Sequence, residues 1–323
     1  MLPGPSVIKE FESVLAVHCQ KEYVISTCNA SVGILGVFWS MGLSNKEIIV
    51  TPLTWPGAIA GLLALNCKLK FCPVESKFLT IDADEISKLI TPKTKAVFSA
   101  DFLGYPCQLD KIKKVCEEYN VLLIHDAASS FGSYYKGYQS GYYADVSIYS
   151  FGQKKLFSLG EGGAIVTQSE NIYEKLLHGI AHPERQQIEY DFANPYTLNI
   201  SINLLAAEYG LKILNDKVNY IKHRAGVIAD FLKELFHTKQ EANIQPNYYK
   251  VLLKPLDITI LPVAFKSHVS NLPICIFNTD LMPQQNITGK VLALDRMREL
   301  TDEFRILDNS FFNQHFNDSL HFK

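Results

Sequence analysis

Residues 125–163 read HDAASSFGSYYKGYQSGYYADVSIYSFGQKKLFSLGEGG, and the parsing of this stretch decides the fold. The run before it, Val121-Leu122-Leu123-Ile124, is short and wholly apolar, the pattern of a strand buried in a parallel sheet. It leads to Asp126, followed by Ala127, Ala128, Ser129 and Ser130, side chains small enough to let a backbone or a flat ligand approach. A second strand is expected over 145–151, where Val146, Ile148 and Tyr149 alternate with smaller residues and Ser150 stands at the end. Lys154 and Lys155 follow in a short polar loop before Gly160-Glu161-Gly162-Gly163. Ligands of open parallel sheets bind beyond the carboxyl ends of the strands. Asp126, Ser150 and both lysines fall at such ends.

Working outward, strands and helices alternate. Val7, Phe11, Val14 and Leu15 keep helical spacing over 5–20, and Tyr23-Val24-Ile25 forms a strand. Ser26-Thr27-Cys28-Asn29-Ala30-Ser31 then opens a helix over 32–41, whose free N–H groups and dipole would suit an anion, although capping alone accounts for the same composition. Further strands are expected at 47–50, 69–74, 96–99 and 164–167, with helices at 57–65, 84–90, 109–119 and 171–177. An irregular polar stretch follows at 182–203, in which His182, Glu184 and Arg185 are weighed as substrate contacts against a solvated loop. A helix pair is expected over 212–235, and apolar strands at 252–253 and 258–263. This alternation predicts an α/β fold with a mostly parallel central sheet flanked by helices and joined by right-handed crossovers.

Composition excludes several classes. With 323 residues, 47% hydrophobic and 20% charged, the chain has the make-up of an ordinary globular protein, and its net charge of −2 makes no electrostatic case for nucleic acid or an anionic membrane. No apolar run is long enough to span a bilayer, and the N-terminus reads as lacking a signal peptide. Seven scattered cysteines suggest neither a disulfide framework nor a metal site, so the expectation is reduced thiols in a cytoplasmic protein with no bound metal.

The chemistry that Asp126, Ser150 and the lysines would suit is that of pyridoxal phosphate. That cofactor is held as a Schiff base on a lysine and needs a carboxylate against its pyridine nitrogen. A hydroxyl such as that of Ser150 could bind its phosphate. Each residue also has a plainer reading: Asp126 as a turn former, the lysine pair as solvated charge, Trp55 as core.

Together they resemble the DegT/DnrJ/EryC1/StrS sugar aminotransferase family of fold-type I pyridoxal phosphate enzymes. The resemblance is carried by Asp126-Ala127-Ala128, Ser150-Phe151, Lys155 five residues before Gly160-Glu161-Gly162-Gly163, and the Thr91-Pro92-Lys93-Thr94-Lys95 run. It implies that Lys155 is the cofactor lysine and Asp126 the partner of the pyridine nitrogen. It further implies a phosphate cup at Asn29 and Ala30, Trp55 stacked on the ring, and Ser129 near the ring hydroxyl. Asn199 would reach the phosphate of a partner subunit, making a homodimer with shared sites. The implied reaction takes an amino group from glutamate, by way of pyridoxamine phosphate, to a keto sugar on a nucleotide. The resemblance also implies a large domain over 1–215 and a smaller C-terminal α/β domain over 216–323. The chain departs from the family pattern at Cys28-Asn29, Ser129, Gly152-Gln153 and Ser201, where Gly-Thr, glutamine, His-Pro and arginine are usual. Two alternatives follow: a homologue that binds the cofactor without transamination, or a sugar dehydratase, in which histidine commonly replaces the lysine.

Overall fold

The computed structural model describes residues 6–237, 243–253, 269–271 and 305–307. The elements run α1 (Ser6–Cys19), β1 (Tyr23–Thr27), α2 (Ala30–Ser40), β2 (Glu47–Val50), α3 (Pro56–Ala64), β3 (Lys68–Phe71), α4 (Ala83–Leu89), β4 (Thr94–Ala100), α5 (Leu109–Glu118) and β5 (Leu122–Asp126). A hairpin of β6 (Tyr134–Tyr135) and β7 (Tyr138–Gln139) comes next, then β8 (Val146–Ser150), β9 (Gly163–Thr167), α6 (Glu170–Ile180), α7 (Pro183–Tyr190) and α8 (Leu204–Phe236). Short strands β10 (Ile244–Gln245), β11 (Val251–Leu253), β12 (Val269–Asn271) and β13 (Arg305–Leu307) follow.

Local chemistry sets the helix starts. Asn29, Asp82, Ser169 and Asn203 each accept a hydrogen bond from a backbone N–H of the first turn of α2, α4, α6 and α8, and Pro56 opens α3. Seven strands form one sheet in the order β1-β9-β8-β5-β4-β2-β3. β3, β2, β4, β5 and β8 are parallel, whereas β9 is antiparallel to both its neighbours. Every strand except β9 therefore points the same way, in agreement with the mostly parallel sheet expected.

Both faces of the sheet are buried. On β4, Ala96 and Phe98 pack with Ile34, Phe38 and Ile59 of α2 and α3, while Val97 packs with Ile86 and Ile112 of α4 and α5. Helices α1 and α8 cover β1, β8 and β9 through Phe11, Leu15, Leu214 and Val218. Each such fully buried side chain stabilises the fold by about 1.5–3 kcal/mol. The register then lines up the strand ends. Ala100 lies opposite Asp126, Asp126 opposite Ile148, and Gly163 opposite both Ser150 and Thr27.

Two expectations are corrected. The helix pair over 212–235 is one 33-residue helix, α8, which begins at Leu204. It holds no proline, and Ala207, Leu214, Val218, Ile221 and Ile228 keep one continuous buried face, so nothing breaks it. The stretch 182–203 is not all irregular: Pro183 starts α7, and the ring of His182 accepts from the Glu184 N–H at its N-terminus. The strand expected at 258–263 and Cys275 lie outside the described residues. Among the described residues no helix is long and apolar enough to cross a membrane.

Candidate active site

The sheet edge where β1, β4, β5 and β8 end carries the site. Asp126, the last residue of β5, is buried, and one carboxylate oxygen accepts the Ala128 N–H at 2.9 Å. Burial pushes its carboxyl above the ordinary range; the Ala128 N–H and the charge of Lys155 act in the opposite sense. Lys155, in the loop between β8 and β9, shows the mirror behaviour. Burial lowers the pKa of its ammonium, and the Asp126 carboxylate partly restores it. Each is thus a charged neighbour that the other feels. Lys154 is exposed, whereas Lys155 is half-buried.

The lysine loop is pinned from below. Phe151 N–H donates to Gly162 O at 2.8 Å, and Leu159 N–H donates to Phe151 O at 2.8 Å. The rings of Phe151 and Phe157 meet edge to face with centroids 4.9 Å apart, and Phe131 and Phe11 pack against both. Lys155 N–H donates to Gly152 O at 2.9 Å, closing the turn that carries the amine.

Helix α2 starts beside this loop. A side chain at Gly163 would place a Cβ 2.8 Å from Ala30 N and 2.9 Å from Thr27 Oγ1, so only glycine lets the strand end approach the helix. Asn29 Oδ1 accepts the Val32 N–H at 2.9 Å, and the N–H groups of Ala30 and Ser31 remain at the positive end of the helix dipole. Trp55 is 72% exposed, which rules out a core role. A Cβ on Gly57 would fall 2.8 Å from both Trp55 Nε1 and Ser31 Oγ, placing the indole beside the start of α2. Ser150 is half-buried at the end of β8, with its Oγ 3.4 Å from the Gly152 N–H.

Other candidates are placed differently. The Ser129 hydroxyl donates to Asp101 O at 3.2 Å and accepts the Gly104 N–H at 3.3 Å, tying two strand-end loops together. Asn199 is exposed, with φ of 44°, next to Ile200, whose carbonyl accepts from Cys28 N–H. Arg185 is neither a substrate contact nor solvated: its guanidinium is held by Glu12 and Glu189. Asp101, Cys107 and His125 could offer ligand atoms within 4.8 Å of one another, but the Cys107 thiol donates to Ala100 O and His125 Nδ1 pairs with Ser99. Burial pushes the Cys107 thiol well above its ordinary pKa, which suits a structural group. Sequence reasoning missed Tyr249, whose ring centroid lies 5.0 Å from Lys155 Nζ. No motif marks it, because the contact joins segments distant in the chain.

This donor set fits pyridoxal phosphate. A buried carboxylate acts on a lysine whose ammonium burial disfavours, helix N–H groups can take the phosphate, and an indole offers a flat face.

A family model described as the DegT/DnrJ/EryC1/StrS aminotransferase family matches residues 2–254. GDP-perosamine synthase of Escherichia coli O157:H7 is 28% identical over 230 residues, covering 70% of this chain and 62% of that protein. Matches to the first curated relatives span 47%, 62% and 46% of their own lengths. Among solved structures, the E. coli GDP-4-keto-6-deoxy-D-mannose-3-dehydratase with bound hydrated PLP superposes with a TM-score of 0.80 at 19% identity, covering 95% of this chain and 88% of that one. The sugar aminotransferase CalS13 from Micromonospora echinospora gives 0.75 at 20% identity, with coverage of 94% and 86%. At these identities the structural likeness shows the fold, which is that of pyridoxal phosphate transferases.

Proposed function

The chain belongs to the DegT/DnrJ/EryC1/StrS aminotransferase family, and we propose that it transfers an amino group from an amino acid, glutamate in the first instance, to a keto sugar carried on a nucleotide. The observation that carries this reading is the half-buried Lys155 within electrostatic reach of the buried Asp126 carboxylate at the edge where the strands end. Pyridoxal phosphate, when bound, supplies the electron sink for amino-group transfer. Lys155 would hold it covalently and would move the proton at its Nζ, a role favoured by the burial that lowers the pKa of its ammonium. Asp126 binds the pyridine nitrogen. The Ala30 and Ser31 N–H groups, the Asn29 amide and the Ser150 hydroxyl bind the phosphate. Trp55 would offer its indole to the ring, and Ser129 ties the loop after Asp126 to Asp101 and Gly104.

The names of relatives, GDP-perosamine synthase and UDP-4-amino-4,6-dideoxy-N-acetyl-beta-L-altrosamine transaminase, support a nucleotide-linked acceptor in amino-sugar or surface polysaccharide synthesis. Fold likeness alone does not separate an aminotransferase from a dehydratase; the retained Lys155 favours the aminotransferase. A homodimer is supported by the exposed apolar side chains of Tyr196, Leu198, Leu205 and Tyr209, which flank Asn199 in the sequence; Asn199 would complete the partner's phosphate site. The division into 1–215 and 216–323 falls within α8, whose first half packs on the sheet while Ile228 joins the cluster of Tyr248 and Val251. The six described cysteines are unpaired, which supports the cytoplasm.

Borohydride reduction of the protein with pyridoxal phosphate, followed by peptide mass mapping, tests the assignment. The cofactor mass is expected on Lys155. Its appearance on Lys154 or another lysine instead would overturn the reading.

A further inference from the structure

The segment after β10 is built at some expense to reach the site. Asn247 Nδ2 donates to Ser129 O at 3.1 Å and Phe131 O at 2.9 Å, gripping the loop that follows Asp126. Its Oδ1 accepts the Tyr249 N–H at 2.8 Å. Arg224 of α8 donates through Nη1 to the carbonyls of Asn247 and Tyr248, at 3.0 and 3.1 Å. Yet its Nε and Nη2 are buried without a hydrogen-bond partner, an unfavourable state for a guanidinium. Tyr248 adopts a left-handed backbone with φ of 51°, which a residue with a bulky side chain seldom takes without a reason. Lys250 N–H donates to Leu103 O at 3.1 Å. Gly104 has φ of +91°, and a Cβ there would come within 2.8 Å of Tyr249 N, so the opposing loop is shaped to admit this backbone. A strained residue and a half-satisfied buried arginine concentrate where the chain aims one side chain, and such features cluster at functional sites. The side chain is Tyr249, with Lys155 Nζ over its ring at 5.0 Å.

We propose that Tyr249 is the seat of the Lys155 ammonium, its ring face holding the amine within the site whenever the lysine is not covalently engaged. This rests on the reading of Lys155 as the cofactor lysine. A lysine that both attaches a cofactor and carries protons has to detach, and a free four-carbon stem has many rotamers to explore. An aromatic face attracts the cation without accepting its proton, so the amine stays poised without being neutralised by a new carboxylate. Asp126, at the end of β5, is the charged group that faces the amine, Lys154 of the same loop is exposed, and the segment after β10 contributes the ring. Tyr249 is therefore a positioning residue for Lys155.

The test uses the 323-residue chain before pyridoxal phosphate is added. Trace acetic anhydride labels amines in proportion to their neutral fraction, and acetylation of the Lys155 peptide is read by mass spectrometry across pH. Tyr249→Phe keeps the ring and is expected to leave the labelling midpoint unchanged. Tyr249→Leu keeps bulk but removes the ring, and is expected to lower the midpoint by about half a pH unit, the size of one cation–aromatic contact. Tyr249→Met serves as a second ring-free variant, and thermal midpoints check that each variant is folded. Ring-free variants with an unshifted or raised midpoint, or a Phe variant that shifts as far as they do, would overturn the proposal. Adding pyridoxal phosphate to the same samples separates the two claims. A wild-type chain that gains no visible band removes the cofactor reading, whereas a normal band with unshifted ring-free variants removes the seat alone.

Discussion

Asp101, just past β4, and His125 of β5 are both buried, and they show how single residues are held here. The Cys107 N–H donates to Asp101 Oδ1 at 2.7 Å, and the Ser140 hydroxyl donates to Oδ2. His125 Nε2 stands 3.2 Å from Oδ1, near enough for ionic attraction but off the line of a hydrogen bond. Burial would raise the Asp101 carboxyl, but the His125 charge and the hydroxyl donors outweigh it and hold the group below its usual range. A carboxyl depressed in the folded state contributes stability that is full above the unfolded value, about 3.9, and lost as pH falls through the folded one. Asp101→Asn should therefore lower the urea midpoint at pH 7 and flatten its fall below about pH 4. Wild type and variant losing stability in parallel over that range would contradict the assignment. The pair was invisible in the sequence because only the register, with Ser99 opposite His125, brings the two strands' residues together. Lys155 was legible, since its spacing to Gly160 is local. Tyr249 was not, for its contact depends on the strained path of 247–249.

At the scale of elements, α7 is a tie rather than a loop. Arg185 donates through Nη1 and Nη2 to the two Glu12 oxygens at 3.0 and 2.8 Å, and through Nε to Glu189 at 3.0 Å. Glu12 Oε1 also accepts the Ser26 N–H and hydroxyl, so the cluster joins α7, α1 and β1. Arg185→Ala would leave the Glu12 carboxylate buried without its counter-charge, a loss of about 3–5 kcal/mol. Equilibrium urea unfolding measures it, and a loss under about 1 kcal/mol would mean that water or another cation compensates. Strands and helices were legible because alternation, helical spacing and small polar residues such as Asn29 before a helix are local signals. The hairpin β6–β7 was not, because its two-residue strands are defined by pairing, partly with β10 from far along the chain. The continuity of α8 was missed for a different reason: its one buried face, from Ala207 through Leu214, Val218 and Ile221 to Ile228, spans two separate clusters that only the fold brings together.

Across the whole molecule, one property governs the site: all strands of the seven-stranded sheet but β9 point to a single edge, and the register brings Thr27, Asp126, Ser150 and Gly163 to it. The sheet converts residues far apart in the chain into one site, and the helices that bury its faces keep that edge rigid. The stretch 125–163 disclosed this arrangement because it contributes two of those strand ends and the lysine loop together. The small residues before α2 left anion binding and capping open in the sequence, and the convergence of Trp55 and Ser31 needed the packing of α3 on α2. The visible spectrum of the chain with pyridoxal phosphate, freed of excess and recorded before and after glutamate in wild type and Lys155→Ala, tests the central claim most directly. The account predicts a band in wild type that glutamate bleaches, and no such band in the variant. A wild-type band that no amino acid alters, or the same response in Lys155→Ala, would contradict it.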